Sequence, residues 1–182
     1  MNIGIVLFFS RAATLQIKEI QNELVDLGIS DHTYLSKIKP HLTISGAEMS
    51  QEEVGRVSDG LKSLREVQKF ELSMSSVGYF PYKKKVLFLN PSYSEALLEI
   101  YEAVSLVLKS ESVETESLYK KENWSPHCSI ASRLSKDEIL LGIQQLGHRV
   151  FPIKLMVSSI GIIDCEKNEI LHRVDLREVE NL

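Results

Sequence analysis

Two short stretches of this chain carry the same chemistry. Pro40-His41-Leu42-Thr43-Ile44-Ser45 returns as Pro126-His127-Cys128-Ser129-Ile130-Ala131, so both read proline, histidine, any residue, a hydroxyl residue, isoleucine. A strand turns successive side chains to opposite faces. That puts His41, Thr43 and Ser45 on one face with Leu42 and Ile44 on the other, and separates His127 and Ser129 from Cys128 and Ile130 in the same way. Each strand then offers an imidazole beside a hydroxyl, and two such strands facing a cleft present two of each.

Cleaving a phosphodiester without a metal takes a base to deprotonate the attacking water, an acid to protonate the departing oxygen, and donors that hold the phosphoryl oxygens. Histidine, with an ordinary pKa of about 6.5, fills either of the first two roles near neutral pH. The Thr43 and Ser129 hydroxyls can donate to phosphate oxygens. A lone histidine on a strand is most simply a hydrogen-bonded structural residue, but two in matching contexts favour chemistry. Zinc is the competing use of paired histidines. A catalytic zinc normally takes three protein ligands, and neither motif carries a nearby Asp, Glu or third His, so no metal site is expected. No glycine-rich phosphate loop or dinucleotide fingerprint is present, and no cofactor is expected.

The elements around the motifs recur too. Ser50-Gln51-Glu52-Glu53 comes after the first motif and Ser135-Lys136-Asp137-Glu138 after the second, each a capping box opening a helix. Met74-Ser75-Ser76-Val77-Gly78 is answered by Val157-Ser158-Ser159-Ile160-Gly161. Three landmarks in the same order at nearly constant offset indicate an internal duplication, with repeats at roughly 1–80 and 86–176.

Duplicated, proline-preceded His-x-Thr/Ser strands in a protein of this size resemble the two-histidine (2H) phosphoesterase superfamily, and within it the bacterial 2′-5′ RNA ligase-like and cyclic phosphodiesterase proteins. Through the duplication the resemblance covers the whole chain. It implies a metal-independent phosphodiesterase acting on a nucleotide or RNA-terminal 2′,3′-cyclic phosphate, or a related 2′-5′ linkage. His127 would be the base and His41 the acid, with Thr43 and Ser129 gripping the phosphoryl group; the residues alone leave acid and base unassigned. RNA 2′-5′ ligation, and a non-catalytic module that binds a nucleotide phosphate, are the alternatives. Ser129 stands where the family usually has Thr, which keeps the hydroxyl. Many relatives carry an Arg just after the second motif. Here Ser132 comes first and Arg133 one residue later, a shift that changes the face and makes Arg133 a poor phosphate ligand.

The fold expected is α+β: one bilobal domain over 1–182, with two pseudo-symmetric lobes, each an antiparallel sheet with two helices, and the active cleft between them. Ile3 to Phe9 reads as a strand buried on both faces. Ala13, Ile17, Ile20, Leu24 and Leu27 keep helical spacing up to Gly28, which sits where a left-handed terminal residue is wanted. A polar connector from Asp31 to Lys39 delivers the chain to the first motif. Further helices are expected at about 51–64, along the Leu97, Tyr101, Val104, Leu108 stripe, and near 136–146. Strands are expected at 70–77, 86–90, 153–163 and 170–176. Tyr79 to Lys85 reads as a hairpin connection whose aromatics can stack on a base, with lysines that are more simply a soluble turn. Residues 109–125, long and polar, suggest a flap over the substrate. His32, His148 and His172 read as surface or structural residues, and Arg173 lies on the last strand without a partner motif.

With 182 residues, 43% of them hydrophobic, the chain is large enough for a real core. Its net charge of −4 argues against a broad basic surface for DNA or other nucleic acid, though not against a small patch at a cleft. No apolar run approaches the roughly 18 residues of a membrane span. Cys128 and Cys165 are far apart, and the chain reads as cytoplasmic with reduced thiols.

Overall fold

The computed structural model describes residues 1–82 and 85–178; Lys83 and Lys84 of the expected lysine turn lie outside the described residues. In chain order the elements are β1 (Asn2–Phe9), α1 (Arg11–Asp26), β2 (His41–Glu48), α2 (Gln51–Leu61), β3 (Phe70–Phe80), β4 (Val86–Pro91), α3 (Glu95–Ser110), β5 (Cys128–Ala131), α4 (Lys136–Leu146), β6 (Ile153–Asp164) and β7 (Glu169–Asp175). Among the described residues four α-helices and an antiparallel sheet make the α+β fold that the sequence predicts.

The helices begin where side chains can satisfy their first amides. Ser50 and Ser135 each accept from the backbone of the third helical residue, while Glu53 and Glu138 reach back to the cap amide. Each such cap contributes about 1 kcal/mol. Ser10 and Ser94 cap α1 and α3 more simply. Gly28 takes φ +80° just beyond α1, a conformation that suits glycine. The helices pack their apolar stripes on one face of the sheet, where Ile3, Ile5, Leu7, Leu42, Cys128 and Leu89 join one core. On the other face Val6, Phe8 and Ile163, with Ile38 from the connector, form a smaller apolar cluster. Strand β1 is therefore buried on both sides, as its unbroken apolar run requires.

The strands form one continuous sheet in the order β1-β2-β5-β4-β3-β6-β7, and β6 also pairs with β1, so six strands close into a ring. The lobes are thus more tightly joined than two separate sheets. The third strand of each repeat leaves its own half: β3 pairs with β4, and β6 pairs with β1. The register reveals the symmetry. Leu42, next after the first motif histidine, pairs with Cys128, next after the second. Leu72 pairs with Leu155, the residue in the same position before its double serine. Corresponding residues that face one another in an antiparallel pair place a local two-fold axis between them.

Four of the irregularities obey the same axis, while a fifth, at Leu171 of β7, has no counterpart. Bulges fall at Ile44 and Ile130, each just after the motif hydroxyl residue, and at Ser75 and Ser158. A bulge inserts one unpaired residue and re-aims the side chains beyond it. This corrects one expectation from simple alternation: beyond the Ile44 bulge Ser45 pairs with Ile5 of the main core, so it turns to the helix side and leaves the face shared by His41 and Thr43.

Neither repeat closes its own sheet. Residues 1–82 or 85–178 expressed alone are expected to show no cooperative thermal transition by circular dichroism, whereas the full chain unfolds in one step. A sharp melt of either half would show that the exchanged strands are dispensable.

Candidate active site

The Leu42–Cys128 pair brings the two motifs together at the axis. Extending the antiparallel ladder one step from this pair sets His41 toward Ser129 and Thr43 toward His127, on the face away from Leu42 and Cys128. Beneath them Leu7, Leu42, Cys128 and Leu89 form a row of fully buried residues across four strands. The four residues proposed from sequence thus share one face, half-buried, above a fully buried row.

Each imidazole is held in the same way. His41 Nδ1 lies 2.8 Å from the Lys39 carbonyl and His127 Nδ1 lies 2.8 Å from the Ser125 carbonyl. A carbonyl can only accept, so each Nδ1 carries the hydrogen and each Nε2 is left to take or give a proton. Burial lowers the pKa of His41 below its ordinary 6.5, against the pull of the Lys39 carbonyl, and the charge of His127 lowers it further. His127 is lowered by burial, opposed by the Ser125 carbonyl. Both rings therefore favour the neutral form.

Aromatic side chains form the walls: Phe8 and Phe88, which read in the sequence as plain core, and Phe80 and Tyr82 of the expected hairpin connection. Phe8, the cross-strand partner of His41, meets it edge-on at 6.2 Å. Phe88, the partner of Ser129, lies 5.1 Å from the His127 ring, and Phe80 meets that ring edge-on at 4.8 Å. Tyr82, mostly exposed, stacks on Phe80 at 6.1 Å. The glycines of the two repeated landmarks make this possible. A Cβ on Gly78 would sit 2.6 Å from the Phe88 ring, and one on Gly161 would sit 2.7 Å from the Phe8 ring. Two glycines at matching positions are the sequence signal for two bulky neighbours.

Gly161 also opens the way for a residue to which the sequence gives no role. Its cross-strand partner Arg173 brings its guanidinium 5.8 Å from the Phe8 ring centre, on the site face. Arg133, by contrast, lies past the end of β5 with φ +63° and is exposed, so strand alternation no longer sets its direction. His172 points to the opposite side of β7 from Arg173, and His32 and His148 lie outside every strand. Among the described residues no three His, Cys, Asp or Glu side chains gather to hold a metal ion.

The expected flap is instead a strap. Beyond Leu42 the edge of β2 lacks a strand partner from β5, and residues 115–124 cover it. Glu116 N donates to the Gly46 carbonyl at 2.8 Å and Trp124 Nε1 to the Thr43 carbonyl at 3.1 Å. Trp124 stacks on Tyr101 at 4.4 Å, and Tyr101 donates to the Tyr119 carbonyl at 2.8 Å. The Tyr119 ring occupies the space over Gly46. Buried Tyr101 and half-buried Tyr119 and Trp124 anchor a segment whose polarity suggests mobility.

A family model described as the 2′-5′ RNA ligase superfamily matches residues 9–169, and the chain belongs to this family. No curated protein matches the chain in sequence. Among solved structures, a Thermus thermophilus protein aligns at 17% identity over 98% of this chain and 99% of its own, with a TM-score of 0.65. E. coli LigT complexed with 3′-AMP aligns at 13% identity over 96% and 97%, with a TM-score of 0.63. The PDE domain of MHV ns2 aligns at 11% identity over 97% and 99%, with a TM-score of 0.54. At such identities these likenesses establish the fold. Among the described residues no helix is long and apolar enough to cross a membrane.

This geometry has two measurable outcomes. Gly78→Ala and Gly161→Ala should each destabilise the protein by about 1–3 kcal/mol in denaturant unfolding, the usual cost of overpacking. Stability should also depend on pH through the histidines. Their folded pKa values lie below the unfolded 6.5, so the unfolded chain binds more protons as pH falls through that window. The contribution is complete above pH 6.5 and is lost as pH drops toward the folded values. Denaturation midpoints of the wild type should fall more on acidification than those of a His41→Asn/His127→Asn variant; equal falls would refute the assignment of these shifts.

Proposed function

We propose that the chain is a metal-independent phosphodiesterase that hydrolyses a nucleotide or RNA-terminal 2′,3′-cyclic phosphate, or a related 2′-5′ linkage, with His41 and His127 as its acid and base. One observation carries the reading: two imidazoles related by a local axis, each fixed through Nδ1 to a backbone carbonyl two residues earlier, so that both Nε2 atoms serve the same face. A structural histidine needs no such duplicate. Membership of the 2′-5′ RNA ligase superfamily supports the reaction class, and LigT, solved with 3′-AMP, supports a nucleotide as substrate.

In this reading His127 Nε2 takes a proton from water as its oxygen attacks phosphorus. The bond from phosphorus to one ribose oxygen breaks, and His41, entering the step as the imidazolium with hydrogen on both nitrogens, gives that oxygen its Nε2 proton, leaving a phosphomonoester. The allocation of base to His127 and acid to His41 rests on the family resemblance. Thr43 and Ser129 hydroxyls hold the phosphoryl oxygens, and the Phe80–Tyr82 wall stacks the base. The two repeats work as one bilobal domain because each supplies one histidine and one hydroxyl.

Adenosine 2′,3′-cyclic phosphate and a 2′-5′-linked adenylate dimer are the test substrates. Turnover should persist in excess chelator, and His41→Ala and His127→Ala should each lose roughly 10²- to 10⁴-fold. Thr43→Ala and Ser129→Ala should lose less. The pH profile of kcat/KM should be bell-shaped, with apparent pKa values that belong to the pair. Because both rings are shifted below 6.5, the rate should fall as pH rises through neutrality. A single-histidine variant with near wild-type turnover would sink the mechanism.

A further inference from the structure

The hydroxyl residue of each motif is held from behind. Thr43 and Ser129 both stand immediately before a bulge, and the backbone carbonyl of each receives a side-chain N–H from outside the sheet. Gln21 Nε2 of α1 donates to the Ser129 carbonyl at 3.4 Å, and Trp124 Nε1 of the strap donates to the Thr43 carbonyl at 3.1 Å. The two holds are reciprocal. Gln21 belongs to the first repeat and grips the second motif, while Trp124 belongs to the second repeat and grips the first.

Packing alone would not choose a glutamine here. Gln21 lies on the buried stripe of α1 with Ala13, Ile17, Ile20 and Leu24 and is 1% exposed, where an apolar side chain would avoid the cost of burying an amide. Its Oε1 is buried with no hydrogen-bond partner among the described residues. A carbonyl can only accept, so the amide nitrogen faces Ser129, and that hydrogen bond is what the amide contributes. The Cys128 thiol lies 4.0 Å from the same oxygen, so the carbonyl leans to the helix side of the sheet. The peptide plane of that carbonyl also contains the nitrogen of Ile130, the bulged residue. Fixing the plane fixes the bulge, and the bulge sets the angle at which the Ser129 side chain leaves the strand. The indole of Trp124 holds the plane between Thr43 and Ile44 in the same way.

Building on the proposed reaction, we infer that Gln21 and Trp124 are positioning residues: each fixes, through a backbone carbonyl, the hydroxyl residue of the opposite repeat's motif, so that Ser129 and Thr43 meet the phosphoryl oxygens at the required angle. Both side chains pack with the helix-side core, on the other face of the sheet from the imidazoles. They therefore act on the substrate only through the backbone they hold.

The test is a pair of double-mutant cycles, read as kcat/KM on adenosine 2′,3′-cyclic phosphate and, independently of turnover, as the Kd of 3′-AMP by calorimetry. Gln21→Met keeps the volume and removes the amide, and Trp124→Phe keeps a ring against Tyr101 and removes the N–H. Each alone should weaken both readouts by about tenfold, less than the roughly 10²-fold of a full 1 Å misplacement. Gln21→Met should add nothing to Ser129→Ala yet keep its full effect on Thr43→Ala, and Trp124→Phe should show the reverse pairing. A side chain that acts through one hydroxyl has no effect once that hydroxyl is gone, whereas a general loss of stability lowers every background alike. Equal effects in all backgrounds, or no effect of either variant on the wild-type chain, would overturn the positioning role. The expected pairing in 3′-AMP binding, from a protein that turns over neither the cyclic phosphate nor the 2′-5′-linked dimer, would overturn the phosphodiesterase reading and leave the positioning role standing.

Discussion

Everything at the site depends on one short backbone contact, the antiparallel pairing of Leu42 with Cys128. Both residues are fully buried, and both belong to a row of buried side chains that crosses four strands. Because they occupy the same place in two repeats, fixing their pairing also fixes the histidine before each and the hydroxyl residue after it. A one-residue slip of either strand would turn its histidine into the core. The Cys128 thiol, whose pKa burial pushes up to about 12, stays un-ionised and acts as a small apolar side chain in that row.

Around this symmetric centre the surroundings are unlike. The His127 side is walled by Phe80, Phe88 and Tyr82, while the His41 side passes over Phe8 to Arg173. Two nearly equivalent imidazoles thereby gain different neighbours, one aromatic and one cationic. A molecule lying between the two rings would therefore meet a different surface on each side.

Much of this is legible in the residues because it rests on local rules. Ser50 with Glu53 and Ser135 with Glu138 announce helix starts by their own hydrogen bonds, and Gly28 announces an end by its φ. Proline, histidine and a hydroxyl at strand spacing announce the site. The hidden features depend on pairing between distant strands. Nothing local marks Ile44 as bulged, so simple alternation puts Ser45 on the wrong face. Phe8 and Phe88 have the composition of core, and only the space above Gly161 and Gly78 shows where their rings go. Arg173 belongs to the site because β7 lies beside β6 across a glycine, a fact of topology. Residues 109–125 read as mobile because their polarity is averaged over the stretch. Tyr119 and Trp124 carry the packing, and Gly46, far away in sequence, makes room for it.

The exchanged third strands bear on how such a protein can arise. A single repeat leaves a strand edge that its own residues cannot fill, and another copy of the same repeat fills it by reciprocal pairing. The chain therefore has the geometry of an isologous homodimer joined end to end, with the paired histidine motifs on what would have been its symmetry axis. In a true dimer every substitution appears twice, and an aromatic wall on one side could not face an arginine on the other. Fusion into one chain removes that restriction everywhere except at the axis, where Leu42 and Cys128 must still fit each other.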